Sequence, residues 1–525
     1  MKLLIAALAL ASSSSIAHAA SGPVVRLDTG TIRGVREGGV ESFRGIPYAA
    51  PPVGALRWRP PQPAARWQGV RDAEAYGHDC IQARTPDVNE GTKPSEDCLY
   101  LNVWRPAGAH RKLPVMVWVH GGGYVAGTNA APLYSGAAFA RDGVIFVNMN
   151  YRLGRLGFFA FPALTREHPD EAKGNYGYLD QIAALEWVKR NIAAFGGDPG
   201  NVTLAGESAG GESVLVLAGS PMAKGLFSRA IVESGEGRTE MLGRDLLTQD
   251  LPGRPSAEKI GLAFARAQGI DGDGPEALAK LRALPGAQIN DGLTMVSLVF
   301  GALNTFSGPI EDGRLLTATP GEALAAGRGS KVPILIGTND ADLGLGFART
   351  KQAAFAAFGD HAEAARQAYD PDGTLDLGLL NTRIGMDRMM SEPARHVARV
   401  VARNGQASYL YRFAYVADSQ HDKPIKGAEH ATEIPYAFDT LPVLLGDKLT
   451  TRDASMARTM HSYWVNFAKN GTPDGGGLPA WPIYRPSEGA LMTFAADGTA
   501  RAGADPWKAR LDLAEAIAGQ PAAQP

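Results

Sequence analysis

The sequence predicts an α/β protein with a central, mostly parallel β-sheet and helices on both of its faces. Three observations predict it. Residues 113–119, 143–148, 230–232 and 332–337 are apolar almost without interruption, and a strand lacking polar alternation is one covered on both faces. Segments of helical period lie between such runs, beginning with 179–195, where Ile182, Leu185, Val188 and Ile192 fall on one side. Within 202–211 a strand passes through one tight turn straight into a helix, with Ser208 on the turn and Gly206 and Gly210 either side. Small residues are needed there because the turn is strained and the backbones pass close together. The pattern G-x-S-x-G is that of a nucleophile elbow.

In chain order, residues 24–35 alternate around Thr29-Gly30, a hairpin pattern. The stretch 43–58 contains Gly45, Pro47, Pro51, Pro52 and Gly54. So many breakers exclude a regular element and predict a fixed, folded-over segment, in which Arg57 is expected to make a buried structural pairing. Residues 99–104 alternate like a strand; 113–119 run into His120-Gly121-Gly122-Gly123-Tyr124, and 143–148 lead to Asn150-Tyr151-Arg152-Leu153-Gly154. Gly196-Gly197-Asp198-Pro199 stops the helix over 179–195. The strand 230–232 ends at Glu233-Ser234-Gly235. Residues 237–308 turn helical and irregular, anchored by Leu262, Leu278, Leu281 and Leu284. They are expected to form an insertion that roofs the pocket. The sheet resumes at 332–337 and helical material follows to about Asn404. A strand over 408–415 comes next, then a helix over 452–469 with Met456, Met460, Trp464 and Phe467 inward, a last strand at 491–494 and a last helix at 507–518. The expected organisation is one domain over 20–518 with a disordered tail over 519–525. Sheets of this kind bind ligands beyond the strand carboxyl ends, where the tri-glycine turn, Ser208 and Ser234 all fall.

The chain has 525 residues, 45% hydrophobic and 20% charged, with a formal net charge of −2. Such a balance makes no case for nucleic acid or an anionic membrane as partner. Residues 1–19 read as a removable export signal. Met1-Lys2 is basic, Leu3 to Leu10 is apolar but too short to span a bilayer, and Ala17-His18-Ala19 offers small residues for cleavage. The mature chain is expected to begin near Ala20 and to be periplasmic or secreted, with no transmembrane anchor. In that compartment Cys80 and Cys98 are expected to pair, closing about 18 residues for about 3 kcal/mol on the chain-entropy model.

A serine hydroxyl is a poor nucleophile until a base takes its proton, and the expected base is a histidine held by a carboxylate. With an elbow serine the chain order is serine, acid, histidine. Of the ten histidines, His18 lies in the signal, and His78 and His110 precede the sheet core. His120 is read as fixing the glycine turn, and His168 as a loop residue. His361, His396 and His461 fall in helical stretches. That leaves His421, which reads as solvated between Gln420 and Asp422, and His430, the candidate base. The acid is expected after the strand 332–337, with Asp342 the first choice and Asp340 the alternative. Glu207 is read as tuning the local field. The N–H groups of Gly122, Gly123 and Ala209 can converge on the oxygen of a tetrahedral intermediate. No lysine follows the glycines in the P-loop manner, so phosphate binding is not expected. No metal or organic cofactor is implied.

Several blocks are shared with one known family: FRGIPYAAPPVGALRW (43–58), SEDCLYLNVW (95–104), HGGGY (120–124), NYRLGRLGF (150–158), the long run 174–211 around the elbow, and the segment around His430. Together they resemble the type-B carboxylesterase and cholinesterase family of the α/β-hydrolases. The resemblance implies Ser208 as nucleophile, His430 as base, and Gly122, Gly123 and Ala209 as oxyanion donors. It also implies Ser234 as a support for the triad and Glu207 as the acidic residue before the nucleophile. The family's triad acid, a glutamate followed by glycine, falls on Asp342 followed by Leu343, so the shorter carboxylate must sit closer or the backbone must shift. Cys80 and Cys98 match the family's first disulfide. The loop between them has no tryptophan, so the aromatic platform for quaternary ammonium is missing there and choline esters are not expected. Arg155 stands where a small residue usually follows the NYRxG block. It reads either as a surface residue or as a pocket cation that favours acid-bearing esters.

The expected function is that of a serine carboxylesterase, monomer or homodimer, acting on a small-molecule ester by a Ser-His-Asp acyl-enzyme mechanism. The competing expectations are a non-catalytic cholinesterase-like binding protein and an esterase specialised for carboxylate-bearing esters.

Overall fold

The computed structural model describes residues 22–83, 92–108, 112–238, 245–300, 304–422 and 427–518. The expected export signal (1–19) and tail (519–525) lie outside the described residues. The centre is an 11-stranded sheet. Its strands, in chain order, are β1 (Val35–Glu37), β2 (Val40–Pro47), β3 (Tyr100–Pro106), β4 (Leu113–Val119), β5 (Ile145–Met149), β6 (Gly197–Glu207), β7 (Arg229–Glu233), β8 (Ile334–Asn339), β9 (Ser408–Phe413), β10 (Ala490–Phe494) and β11 (Ala500–Ala504). Across the sheet the order is β11-β10-β9-β8-β7-β6-β4-β5-β3-β2-β1. From β5 across to β10 neighbours run parallel, while β11 and the β3-β2-β1 edge pair antiparallel. The hairpin expected over 24–35 is present, with Val24–Arg26 paired to Thr31–Arg33.

The helices that position the site are α1 (Tyr176–Asn191), α2 (Ala209–Gly219), α3 (Ala257–Ala267), α4 (Pro275–Ala283), α5 (Met295–Phe300), α6 (Glu392–Arg403) and α7 (Thr451–Asn470). Strand periodicity sorts side chains onto two cores. Val115, Val117 and Val119 of β4 join Val202 and Leu204 of β6 in a core closed by Leu185 and Val188 of α1, Val214 and Leu217 of α2 and Val397 of α6. Met116 and Trp118, one residue out of step, join Ile231, Leu335 and Tyr411 in a core closed by Met456, Met460, Trp464 and Phe467 of α7. The uniform apolarity of β4 follows from this double burial.

Two expectations are corrected. Residues 43–47 are the end of an 8-residue strand, β2. Its pairing with β3 shifts register between Phe43 and Ile46, and Gly45, at φ 68°, supplies the bend. Pro47 is tolerated because it closes the strand. The strand at 490–494 is also not the last, since β11 pairs with it at the edge. The sequence ARAGA of β11 is largely exposed and carries no apolar alternation to mark it.

Arg57 is buried as expected. Its Nε and Nη2 donate to Glu96 at 2.8 and 2.5 Å, and Nη1 donates to the carbonyls of Arg282 and Leu284 at 2.9 and 2.7 Å. It therefore fastens the end of α4 to the 43–58 segment. Cys80 and Cys98 form a disulfide. Among the described residues no helix is long and apolar enough to cross a membrane.

Candidate active site

Ser208 sits between β6 and α2 with φ 56° and ψ −125°, a strained conformation for a residue with a side chain. Its N–H donates to the Glu233 carbonyl at 2.9 Å, and its own carbonyl accepts from Glu212 at 2.8 Å. Close packing explains the flanking glycines. A Cβ on Gly206 would lie 2.5 Å from the Gly210 carbonyl oxygen, and one on Gly210 would lie 2.1 Å from that of Val119.

Ser208, His430 and Asp342 come together from three separate loops. The Ser208 hydroxyl and His430 Nε2 are 2.9 Å apart, and His430 Nδ1 is 2.6 Å from Asp342 Oδ1. Asp342 Oδ2 accepts from the Ser234 hydroxyl at 2.7 Å and from the Asn339 N–H at 2.9 Å. The short aspartate reaches because its loop is zipped to the histidine loop. Ala341 N–H donates to the Ala428 carbonyl at 3.0 Å, Ala428 N–H to Asp340 Oδ1 at 2.6 Å, and Asn339 Nδ2 to the Glu429 carbonyl at 2.7 Å. Asp340 thus ties the loops together, while Asp342 meets the imidazole. His421 is exposed, with Nε2 3.1 Å from the Val416 carbonyl.

The glycine turn after β4 abuts the elbow. A Cβ on Gly121 would lie 3.0 Å from that of Ser208 and 2.7 Å from Glu207 Oε2. The close fit makes Gly121 a residue of the site in its own right, which the motif alone does not reveal. Gly122 and Gly123 follow at φ 100° and 57°. No acceptor among the described residues takes the N–H of Gly122, Gly123 or Ala209. Met295 and Leu298 of α5 cover Gly123, lying 2.8 and 2.9 Å from where its Cβ would be. His120 is buried beneath the turn, stacked on Tyr151 with ring centroids 4.5 Å apart, and Nδ1 donates to the Gly121 carbonyl at 2.9 Å. Burial pushes its imidazole down to about 4, so it is neutral.

Buried acids dominate the electrostatics. Burial pushes Glu207, Glu233 and Glu433 each up to about 8, because mutual repulsion adds to the loss of water. Glu207 Oε1 lies 3.2 Å from His430 Nε2. Trp464 Nε1 donates to Glu233 at 2.8 Å, and Asn339 Nδ2 donates to Glu433. Burial lowers the His430 pKa, but the charges of Glu207 and Asp342 outweigh it and hold the imidazolium above its ordinary range. Burial raises the Asp342 pKa, but His430 and the donors from Ser234 and Asn339 bring it below the usual aspartate value.

Arg155 corrects both expectations for that position. It is buried, with 5% exposure. Its Nε donates to the Thr305 carbonyl at 2.7 Å, Nη1 to those of Ile289 and Asp291 at 2.9 and 3.2 Å, and Nη2 to the Thr305 hydroxyl at 2.7 Å. Its guanidinium carbon lies 4.6 Å from the Phe264 ring centroid. These contacts spend the cation on tying Phe264 of α3 and residues 289–291 to Thr305, so it is not on the surface and its donors are taken by the protein. Sequence reasoning also missed Asn339, Glu233 and Glu433 as neighbours of the site. Glu433 lies only three residues beyond His430, but no local pattern marks it as buried beside the ring.

This arrangement of strand, elbow, glycine turn and histidine loop defines the serine-hydrolase class of α/β protein. The Carboxylesterase family model matches residues 21–372 and 381–510. The chain is 36% identical over 490 residues to the fumonisin B1 esterase of Sphingopyxis macrogoltabida, covering 89% of this chain and 85% of that protein. It is 35% identical over 492 residues to the para-nitrobenzyl esterase of Bacillus subtilis, covering 88% and 92%. The crystal structure of the Geobacillus stearothermophilus carboxylesterase EST55 superposes with a TM-score of 0.74 at 33% identity, covering 93% of this chain and 99% of that one. The chain belongs to the carboxylesterase family and is a carboxylic ester hydrolase.

Proposed function

We propose that the protein hydrolyses neutral carboxylic esters through an acyl-enzyme on Ser208. The observation that carries this reading is the unbroken Ser208–His430–Asp342 contact, at 2.9 and 2.6 Å. His430 Nε2 takes the hydroxyl proton as Ser208 Oγ attacks the acyl carbon. Asp342 fixes the Nδ1–H tautomer, and Ser234 and Asn339 fix Asp342. The N–H groups of Gly122, Gly123 and Ala209 receive the oxyanion. His430 then returns the proton to the leaving alcohol, and water activated by the same imidazole releases the acid. The donors of Arg155 are taken by the protein, so it does not receive a second carboxylate on the substrate. The absence of tryptophan from the 80–98 loop argues against choline esters.

The test is a panel of p-nitrophenyl esters of graded acyl length, an ester with a free carboxylate and butyrylcholine, assayed with wild type and Ser208→Ala. Turnover of the neutral esters that vanishes in the folded variant is expected. Equal, negligible turnover by both proteins would return the binding-protein reading. We also infer export with cleavage near Ala20, on the form of residues 1–19 and the Cys80–Cys98 disulfide. N-terminal sequencing of the mature chain checks this.

A further inference from the structure

We propose that Glu212 is a positioning residue for the oxyanion hole, acting with Tyr124 as a strut that fixes the spacing of its two halves. The inference rests on the esterase reading of the site. The donors on that reading come from two segments, the turn after β4 with Gly122 and Gly123 and the start of α2 with Ala209. Oxyanion stabilisation depends on donors being held in place before charge develops, so the relative position of the segments matters as much as either alone.

The turn does not hold its own shape. Gly122, Gly123 and Tyr124 all have positive φ, and Tyr124, at 62°, bears a large side chain in that region. Such backbone persists only where its surroundings over-determine it. The Tyr124 carbonyl accepts from Gly154 at 2.6 Å. Its hydroxyl donates to Glu212 Oε2 at 2.9 Å, and the Tyr178 hydroxyl donates to it at 2.9 Å. Glu212 lies in the first turn of α2, its N–H bonded to the Ser208 carbonyl. The path Ser208–Glu212–Tyr124–Gly123 therefore joins the helix that carries Ala209 to the turn that carries the other donors. Tyr124 and Glu212 are both buried, at 1% and 4% exposure. Glu212 Oε1 has no partner among the described residues. A carboxyl with one bond and one bare oxygen is a poor choice for filling space. Its placement makes sense through the single bond it makes.

The experiment compares wild type with Glu212→Ala, Tyr124→Phe and Glu212→Gln. It measures kcat and KM for p-nitrophenyl acetate, affinity for an alkyl trifluoromethyl ketone that forms a hemiketal oxyanion on Ser208, the pH midpoint of kcat/KM, and thermal unfolding. Tyr124→Phe keeps the ring packing and deletes only the bond, so it serves even if Glu212→Ala does not fold. In Tyr124→Phe and folded Glu212→Ala, kcat should fall about tenfold or more while KM stays within about twofold. The ketone should weaken by the same factor, and the pH midpoint should not move. Glu212→Gln keeps a carbonyl acceptor for Tyr124 and should restore most of kcat. An unchanged kcat in Tyr124→Phe overturns the proposal. So does a loss shared by Glu212→Gln with a displaced pH midpoint, which would mark a charge effect on His430. Absence of Ser208-dependent turnover in wild type overturns the esterase reading and the strut with it. Wild-type turnover matched by the variants overturns the strut alone.

Discussion

Glu207 places a carboxyl oxygen 3.2 Å from His430 Nε2, and this bears on the pH at which the imidazole becomes a base. A negative charge there stabilises the imidazolium and raises its pKa. Catalysis by the proposed mechanism needs the neutral ring, so activity rises as pH climbs through that value. Glu207→Gln removes the charge and should move the acid limb of kcat/KM to lower pH; a limb that stays put or moves up would show that Glu207 is already neutral where His430 titrates. At this scale Ser208 and His430 were legible in the sequence because each sits in a local motif and chain order eliminated most other histidines. Asp340 and Asp342 could not be separated, since they occupy one short loop and only the zipper to residues 428–429 decides which carboxylate faces the ring. Glu212, Glu233 and Glu433 were illegible as members of the site. Their burial arises where β7, α2 and the histidine loop meet, and no local pattern announces an acid enclosed by distant elements.

Two buried arginines fasten segments that lie between β7 and β8. Arg57 grips the end of α4, and Arg155 grips residues 289–291 and 305. Arg155→Met would leave the carbonyls of Ile289, Asp291 and Thr305 without this donor, at about 1–3 kcal/mol for the buried Ile289 carbonyl and less for the others. It should lower the unfolding midpoint clearly while leaving the ratio of kcat/KM between carboxylate-bearing and neutral esters within about twofold. A sharp, selective loss on the carboxylate-bearing ester would place Arg155 at the substrate after all. Continuous apolar runs made β4, β5, β7 and β8 readable, because double burial leaves a signature in the strand itself. The end of β2 was hidden by Gly45 and Pro47, which here mark a bulge and a strand end. The edge strand β11 was hidden by its exposure.

Over the whole molecule the enclosed acids set how stability follows pH. Glu207, Glu212, Glu233 and Glu433 keep their protons in the folded chain up to about 7 or 8, whereas in the unfolded chain they lose them near the ordinary glutamate value of about 4.3. The folded state binds more protons between those limits, so stability falls as pH rises across that window, and the raised His430 carries the fall to higher pH. Asp342 and Asp453, held below the usual range, act in the opposite sense and remove stability in strong acid. The melting temperature should therefore be highest at about pH 5 and decline toward pH 8.5, and Glu233→Gln, which keeps an acceptor for Trp464, should flatten that decline. A melting temperature that climbs from pH 5 to 8.5 would contradict the assignment of these acids. The fold class was legible from the order of strands and helices. The extent of the antiparallel edges was not, because it depends on pairing between segments far apart in the chain. The most direct test of the account is to quench the protein in acid during turnover of p-nitrophenyl acetate and map its peptides by mass. The account predicts one acetyl group on the peptide that contains Ser208, absent from Ser208→Ala. Steady turnover with the acetyl group on another residue, or with none trapped there even when deacylation is slowed, would contradict it.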